Sequence, residues 1–234
     1  MNLAIIPARG GSKRIPRKNI KLFAGKPIIA YSIEAAAASG LFDSIIVSTD
    51  DTEIADVAKS YGAEIPFMRP KTLSDDHTGT TPVVKHAINW FIERNTTVSC
   101  ACCIYATAPF IQPAHLIEGY QRLRSSGKSY VFSVTSFAYP IQRAIRIAAD
   151  GTVDPIYPEN ILVRSQDLEE AYHDAGQFYF GTADAWMNDV VAFSSASLPI
   201  VLPRYLVQDI DTPEDWKRAE LMYRAWQESL QPRK

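Results

Sequence analysis

Short apolar runs alternate with stretches of helical spacing along nearly all of this 234-residue sequence. Leu3 to Pro7, Ile45 to Thr49, Cys100 to Ala106, Tyr130 to Thr135, Gln177 to Thr182 and Ile200 to Leu202 read as strands, with a brief further strand at Glu64 to Phe67. Helices are predicted from Pro27 to Gly40, from the capping Asp50-Asp51-Thr52 to Gly62, over Gly79 to Asn95 and Pro113 to Leu123, and from Pro213 to about Ser229. Such alternation predicts an α/β fold with a doubly wound, mostly parallel sheet. Cys100 to Ala106 is apolar at every position, which suits a strand covered on both faces. Ligands of these sheets lie beyond the carboxyl ends of the strands. The loops after Ile6, Val47 and Ala106 are therefore expected to face one crevice.

Residues from about 138 to 176 break the alternation. They hold Pro140, Pro155, Pro158 and a turn-like Asp150-Gly151, with no helical stripe. A structureless loop of that length is uncommon inside a compact domain unless it is functional. The expectation is one domain over 1–234 with an inserted arm at about 138–176.

Charge is distributed unevenly. Seven cations (Arg9, Lys13, Arg14, Arg17, Lys18, Lys21 and Lys26) precede the first acidic residue, Glu34, whereas the remaining 201 residues carry 17 basic and 26 acidic side chains. A local cationic field on an acidic body suits a small anionic ligand and opposes a nucleic-acid duplex. The longest apolar run has seven residues, far short of the ~20 that span a bilayer. No secretory h-region precedes Pro7-Ala8-Arg9-Gly10. The expectation is a cytoplasmic protein without a membrane or nucleic-acid partner. Cys100, Cys102 and Cys103 have no second cluster and no nearby histidine, so buried reduced thiols are expected.

The segment Ala8-Arg9-Gly10-Gly11-Ser12-Lys13-Arg14-Ile15-Pro16-Arg17-Lys18-Asn19 carries the clearest chemistry. Paired glycines let backbone N–H groups turn to an anion, and arginine and lysine add charge-assisted hydrogen bonds to phosphate oxygens. It is neither a Walker A loop nor a GxGxxG turn. The other reading of the residues alone is a basic surface turn. Asp209 and Asp211 form a second constellation. At i,i+2 in a strand they would share one face and offer hard oxygens to magnesium. Asp211-Thr212-Pro213 also reads as a helix cap.

The run ARGGSKRIPRKNI closely resembles the signature loop of the sialic acid activating cytidylyltransferases, the CMP-N-acetylneuraminic acid synthetase family. The similarity continues through Val47-Ser48-Thr49-Asp50, Arg69-Pro70, Leu73-Ser74-Asp75-Asp76, Thr107-Ala108-Pro109 and Gln208-Asp209-Ile210-Asp211-Thr212. It implies a cytosolic, Rossmann-like nucleotidyltransferase that uses CTP and Mg2+ and pairs as a homodimer through an arm reaching the partner's site. It assigns Arg9, Ser12, Lys18 and the Gly10-Gly11 backbone to the CTP phosphates, with Lys18 neutralising the departing pyrophosphate. Ala8, Asn19, Arg69 and Thr80 fall to the cytosine, and Asp209 and Asp211 to the metal. Arg164 corresponds to the arginine that grips the sugar carboxylate from the partner subunit; its other reading is an exposed arm residue. No dedicated general base stands out, and Asp211 or a metal-bound water beside it is the hypothesis.

The sequence departs from sialic acid activators after the central strand. Those enzymes tend to read QPTSPLR where this chain has Tyr105-Ala106-Thr107-Ala108-Pro109-Phe110-Ile111. Trading polar partners for apolar ones favours a sugar with fewer hydroxyls, because a buried donor without a partner costs roughly 1–3 kcal/mol. Together with His173-Asp174-Ala175-Gly176-Gln177 this pattern resembles the pseudaminic acid branch of the family. It nominates Tyr105, Thr107, Phe110, Arg164, His173 and Gln177 for the sugar acid. The implied reaction is CMP transfer from CTP to the anomeric 2-hydroxyl of pseudaminic acid, a nonulosonic acid, with release of pyrophosphate. Two alternatives remain open: the same reaction on N-acetylneuraminic or legionaminic acid, and a nucleotide-binding module without catalysis. Retention of both Asp209 and Asp211 argues for catalysis.

Overall fold

A computed structural model describes residues 1–231. Its strands are β1 (Asn2–Pro7), β2 (Leu22–Phe23), β3 (Lys26–Pro27), β4 (Ser44–Ser48), β5 (Cys100–Ile104), β6 (Tyr130–Ser136), β7 (Ile145–Ile147), β8 (Val153–Pro155), β9 (Tyr172–Thr182) and β10 (Ser197–Val201). The helices are α1 (Ile28–Ser39), α2 (Thr52–Ser60), α3 (Thr80–Ile92), α4 (Pro113–Ser126), α5 (Ala183–Met187) and α6 (Pro213–Ser229). Six strands form one sheet in the order β10-β6-β9-β5-β1-β4. β1 runs parallel to both β4 and β5, and β10 runs parallel to β6. β9 alone is antiparallel, wedged between β5 and β6.

Alternation along the central strands sorts side chains into two cores. Ala4, Ile6, Cys102 and Ile104 point to the face under α1 and α4, with Ile29, Ile33 and Leu116. Leu3, Ile5, Ala101 and Cys103 point to the other face, with Val84, Ile88 and Trp186. Both faces are covered, which is why these strands read as continuous apolar runs. The three cysteines are free and buried, and burial raises the Cys100 thiol to about 11. A third cluster joins Ile15, Phe23 and Phe110 to Ile210 and Trp216, where α6 closes over the β2–β3 hairpin. Thr212 and Asp215 form a reciprocal capping box with Pro213 in the first turn, which starts α6 where the sequence predicts it.

Three local expectations differ from the structure. Glu64 to Phe67 contributes a single bridge, Ile46 to Glu64, because Pro66 has no N–H to extend a ladder. β5 stops at Ile104, so Tyr105 and Ala106 belong to the crevice loop. β9 begins at Tyr172, five residues before the predicted strand, and Tyr172, His173 and Asp174 pair with Ser136, Thr135 and Val134. The C-terminal end of the irregular segment thus lies in the sheet. The rest of it carries the β7–β8 hairpin and exposes large apolar side chains, including Tyr139, Ile147 and Leu162, the last 95% exposed. Among the described residues no helix is long and apolar enough to cross a membrane.

Candidate active site

The loop after β1 is built to stand in one shape. The Gly10 amide donates to Asp50 Oδ1 at 3.0 Å. A Cβ on Gly10 would lie 2.7 Å from Asp51 Oδ2, so only glycine passes this point. Arg17 adopts the left-handed conformation, with φ at 55°. Its guanidinium pins that turn by donating to both Asp51 oxygens, at 2.5 and 2.9 Å, and to Glu53. Asp51 also caps α2 by accepting from the Ile54 amide. These bonds, led by the Arg17 one, hold its carboxyl down at about 2. Asn19 Nδ2 donates to the Arg9 carbonyl at 2.9 Å and closes the loop on itself.

Beyond the ends of β1 and β5 this loop borders a cleft of about 530 Å³. Its cations are arranged around two carboxylates. Asp211 accepts from Lys18 at 3.3 Å and forms an ion pair with Arg14 at 2.8 Å, while Lys18 Nζ also donates to the Ile210 carbonyl. Asp76 pairs with Arg9 and Lys13. Arg69 differs from the other four. It is 6% exposed, its Nε and Nη2 have no hydrogen-bond partner, and its approach to Asp50 Oδ1 is 4.0 Å. Burial lowers its pKa, partly opposed by Asp50. Arg69 thus lines the cleft as a buried guanidinium whose Nε and Nη2 are themselves enclosed, and such a group suits planar acceptors.

A second recess of about 420 Å³ shares Thr80 and Tyr105 with the cleft. Its other walls include Tyr130, Tyr179, Trp186, Val191 and Phe193, so it is largely apolar. Burial raises the Tyr105 phenol to about 12, and a hydrogen bond with Thr80 works against that shift.

A sequence profile of the cytidylyltransferase family matches residues 3–189. A pseudaminic acid cytidylyltransferase of Campylobacter jejuni is 49% identical over 97% of this chain and 98% of that protein. This chain belongs to the cytidylyltransferase family. A CMP-N,N'-diacetyllegionaminic acid synthase of Legionella pneumophila is 34% identical over 97% of this chain and 98% of that one. Among solved structures, a CMP:2-keto-3-deoxy-manno-octonic acid synthetase complexed with CTP shares the fold at TM-score 0.68 and 16% identity, over 96% of this chain and 99% of the other.

The cytidylyltransferase cleft brings together Arg9, Ser12, Lys18, Asn19, Arg69, Thr80, Tyr105, Thr107 and Asp211. Ala8 is fully buried, and its amide is occupied by the Ser48 carbonyl. Gly11 faces open space, unlike its crowded neighbour Gly10. Phe110 does not line the cleft. It is 1% exposed and sits against Tyr223 and Trp226 of α6, because an apolar loop residue beside a helix gains more from burial than from a polar ligand. Gln177 is also buried: its Nε2 donates to the Leu206 carbonyl at 2.6 Å, and its Oε1 has no partner. His173 is exposed on β9 beside Phe137, and Arg164 is exposed on the arm.

Asp209 and Asp211 do not lie in a strand. The chain from Val207 to Asp211 is irregular, and only Asp211 reaches the cleft. Asp209 is exposed as a residue, yet protein crowds its carboxylate, and this burial, followed by the Asp211 charge, raises its pKa. Crowded carboxylates fit a divalent cation, which relieves their repulsion and takes further oxygens from water and phosphate. Lys13, Arg14 and Asp76 also line the cleft, and Asp50 holds its loop through the Gly10 amide, without having been singled out for it. Lys13 and Arg14 lie inside the signature run, so the signal was present; Asp76 shows its role only once folding sets it beside Arg9.

Proposed function

We propose that this cytidylyltransferase transfers CMP from CTP to the anomeric 2-hydroxyl of pseudaminic acid and releases pyrophosphate. The observation that carries this reading is the 49% identity to a pseudaminic acid cytidylyltransferase across nearly the whole of both chains. The apolar recess beside Tyr105 supports it, since such walls suit acyl and deoxy groups better than a densely hydroxylated sugar. Arg69, with Asn19 and Thr80 nearby in the cleft, is our candidate reader of cytosine.

In the proposed reaction the sugar oxygen bonds to the α-phosphorus as the bond to the β-phosphate oxygen breaks. Negative charge then grows on the leaving pyrophosphate. Arg9, Lys18 and the Gly11 amide would meet that charge, the Gly10 amide being engaged by Asp50 and Lys18 already being held by the Ile210 carbonyl at the cleft wall. Asp211 is our candidate to accept the hydroxyl proton. Asp209 and Asp211 are the proposed Mg2+ ligands, and a bound ion there would supply positive charge to the phosphate oxygens.

Arg164, His173 and the apolar side chains of the 138–171 segment remain proposals for the acid and for a homodimer. Exposed patches of this kind mark interaction surfaces. A CTP-dependent reaction fits the cytoplasm. The test is pyrophosphate release from CTP and magnesium with pseudaminic, legionaminic and N-acetylneuraminic acids side by side. Preference for pseudaminic acid is expected. Preference for N-acetylneuraminic acid would overturn the reading of Tyr105, and no turnover of any of them would make another acid, or a nucleotide-binding module, the leading reading.

A further inference from the structure

The ladder between β6 and β9 is broken at one place. It passes from Phe132–Tyr179 directly to Val134–Asp174, so Ala175 to Phe178 stand opposite Ser133 alone. Such bulges re-aim side chains near active sites. Here the bulge turns through Gly176, whose φ is 61°, and brings Asp174 back against Tyr179. Asp174 Oδ1 accepts the Gly176 amide at 2.8 Å, and Oδ2 accepts the Tyr179 hydroxyl. A carboxylate holding a phenol is among the stronger hydrogen bonds available to a side chain. No step of the reaction uses either residue.

The Tyr179 ring is stacked on Phe132, with centroids 5.1 Å apart and planes at 18°, and leans on Tyr105 at 6.1 Å and 31°. The bulge also grips Tyr105 from its backbone side. The Tyr105 amide donates to the Gln177 carbonyl at 2.9 Å. A Cβ on Gly176 would meet the Tyr105 ring at 3.8 Å, so the backbone passes close under that ring. Tyr105 is the side chain that the nucleotide cleft and the apolar recess share along with Thr80.

We propose that Asp174 is a positioning residue for the sugar acid: by holding the Tyr179 hydroxyl it fixes Tyr105, and thereby sets how the acid seats beside the nucleotide. This rests on the proposed function to the extent that the acid lies against Tyr105. A purely structural role would lower stability and disturb both substrates alike. Positioning should act on the acid alone.

The test compares Asp174→Ala, Asp174→Asn, Tyr179→Phe and the Asp174→Ala/Tyr179→Phe double variant. KM and kcat are measured for whichever nonulosonic acid the unaltered protein turns over best, so a wrong assignment of the acid leaves this test intact. Asp174→Ala is expected to raise KM for the acid about tenfold, the effect of losing one hydrogen bond to a charged group, with KM for CTP unchanged. Tyr179→Phe should match it, and the double variant should be no worse than the worse single one. Asp174→Asn should restore the acid KM, because its carbonyl can accept from Gly176 while its NH2 donates to the Tyr179 oxygen. An unchanged acid KM in folded Asp174→Ala overturns the proposal. So does an equal rise in both KM values, or an Asp174→Asn variant as impaired as Asp174→Ala.

Discussion

Two loops leave the carboxyl ends of neighbouring parallel strands and meet across the same cleft, yet they are held by opposite physics. The loop after β1 is tied by charge: Arg17 to Asp51, Lys18 and Arg14 to Asp211, Arg9 and Lys13 to Asp76. The loop after β5 is tied by burial, with Phe110 and Ile111 both sunk into apolar clusters. In the first, the pairs at Asp211 and Asp76 line the cleft, and in the proposed reaction a triphosphate would compete for their cations. The second is held by packing that no anion competes for, which suits a wall that selects by shape. The backbone of both loops is pinned, and the difference lies in what lines the cleft: paired charges on one side, packed apolar groups behind the other.

The contrast can be broken most forcefully at Lys18. Lys18→Ala should lower kcat on the order of 10²–10³-fold, as loss of one group facing developing charge does, while the melting temperature stays near that of the unaltered protein. A parallel fall in stability would mean that Lys18 supports the fold more than the reaction. Phe110→Ala should do the reverse. It should cost about 3–5 kcal/mol in urea unfolding, as large-to-small core changes do, with KM for the acid unaffected in the folded fraction. A selective rise in that KM would restore Phe110 to the sugar site.

A smaller effect sharpens the difference. The Asp51 carboxyl, at about 2, lies below its ordinary value near 3.8. The unfolded chain therefore binds the proton more readily, and the contribution of Asp51 is present above about pH 4 and lost as the pH falls towards 2. With the Asp51 and Arg17 side chains 22% and 38% exposed, the amount is about 1 kcal/mol. Asp51→Asn, which keeps an N-cap, should flatten the loss of melting temperature over that interval. An unchanged acid slope would assign the loss to other carboxylates.

The sequence made some of this legible and hid the rest for identifiable reasons. Wherever an element is set by local chemistry, it could be read: Thr212-Pro213 starts α6, Gly40 ends α1, and the seven apolar residues from Cys100 mark the buried strand. The antiparallel course of β9 depends on pairing with strands far along the chain, and the bulge at Ala175 to Phe178 destroys the alternation that would mark its first half. In the site, the glycine and cation run was readable because each residue type has few other uses there. Phe110 misled because its place beside the motif spoke louder than its apolar side chain. The i,i+2 spacing of Asp209 and Asp211 implied a shared face only under the premise of a strand, and the chain is irregular there.

Lys18 meets the carbonyl of Ile210 across 192 residues of chain. The signature loop and its counter-charge at Asp211 are therefore brought together by tertiary folding and not by chain proximity. A chain cut before Asp211 leaves Arg14 and Lys18 without that counter-ion. The cation side of the cleft is thus closed by the segment leading into α6, and every cut that removes this segment leaves it open.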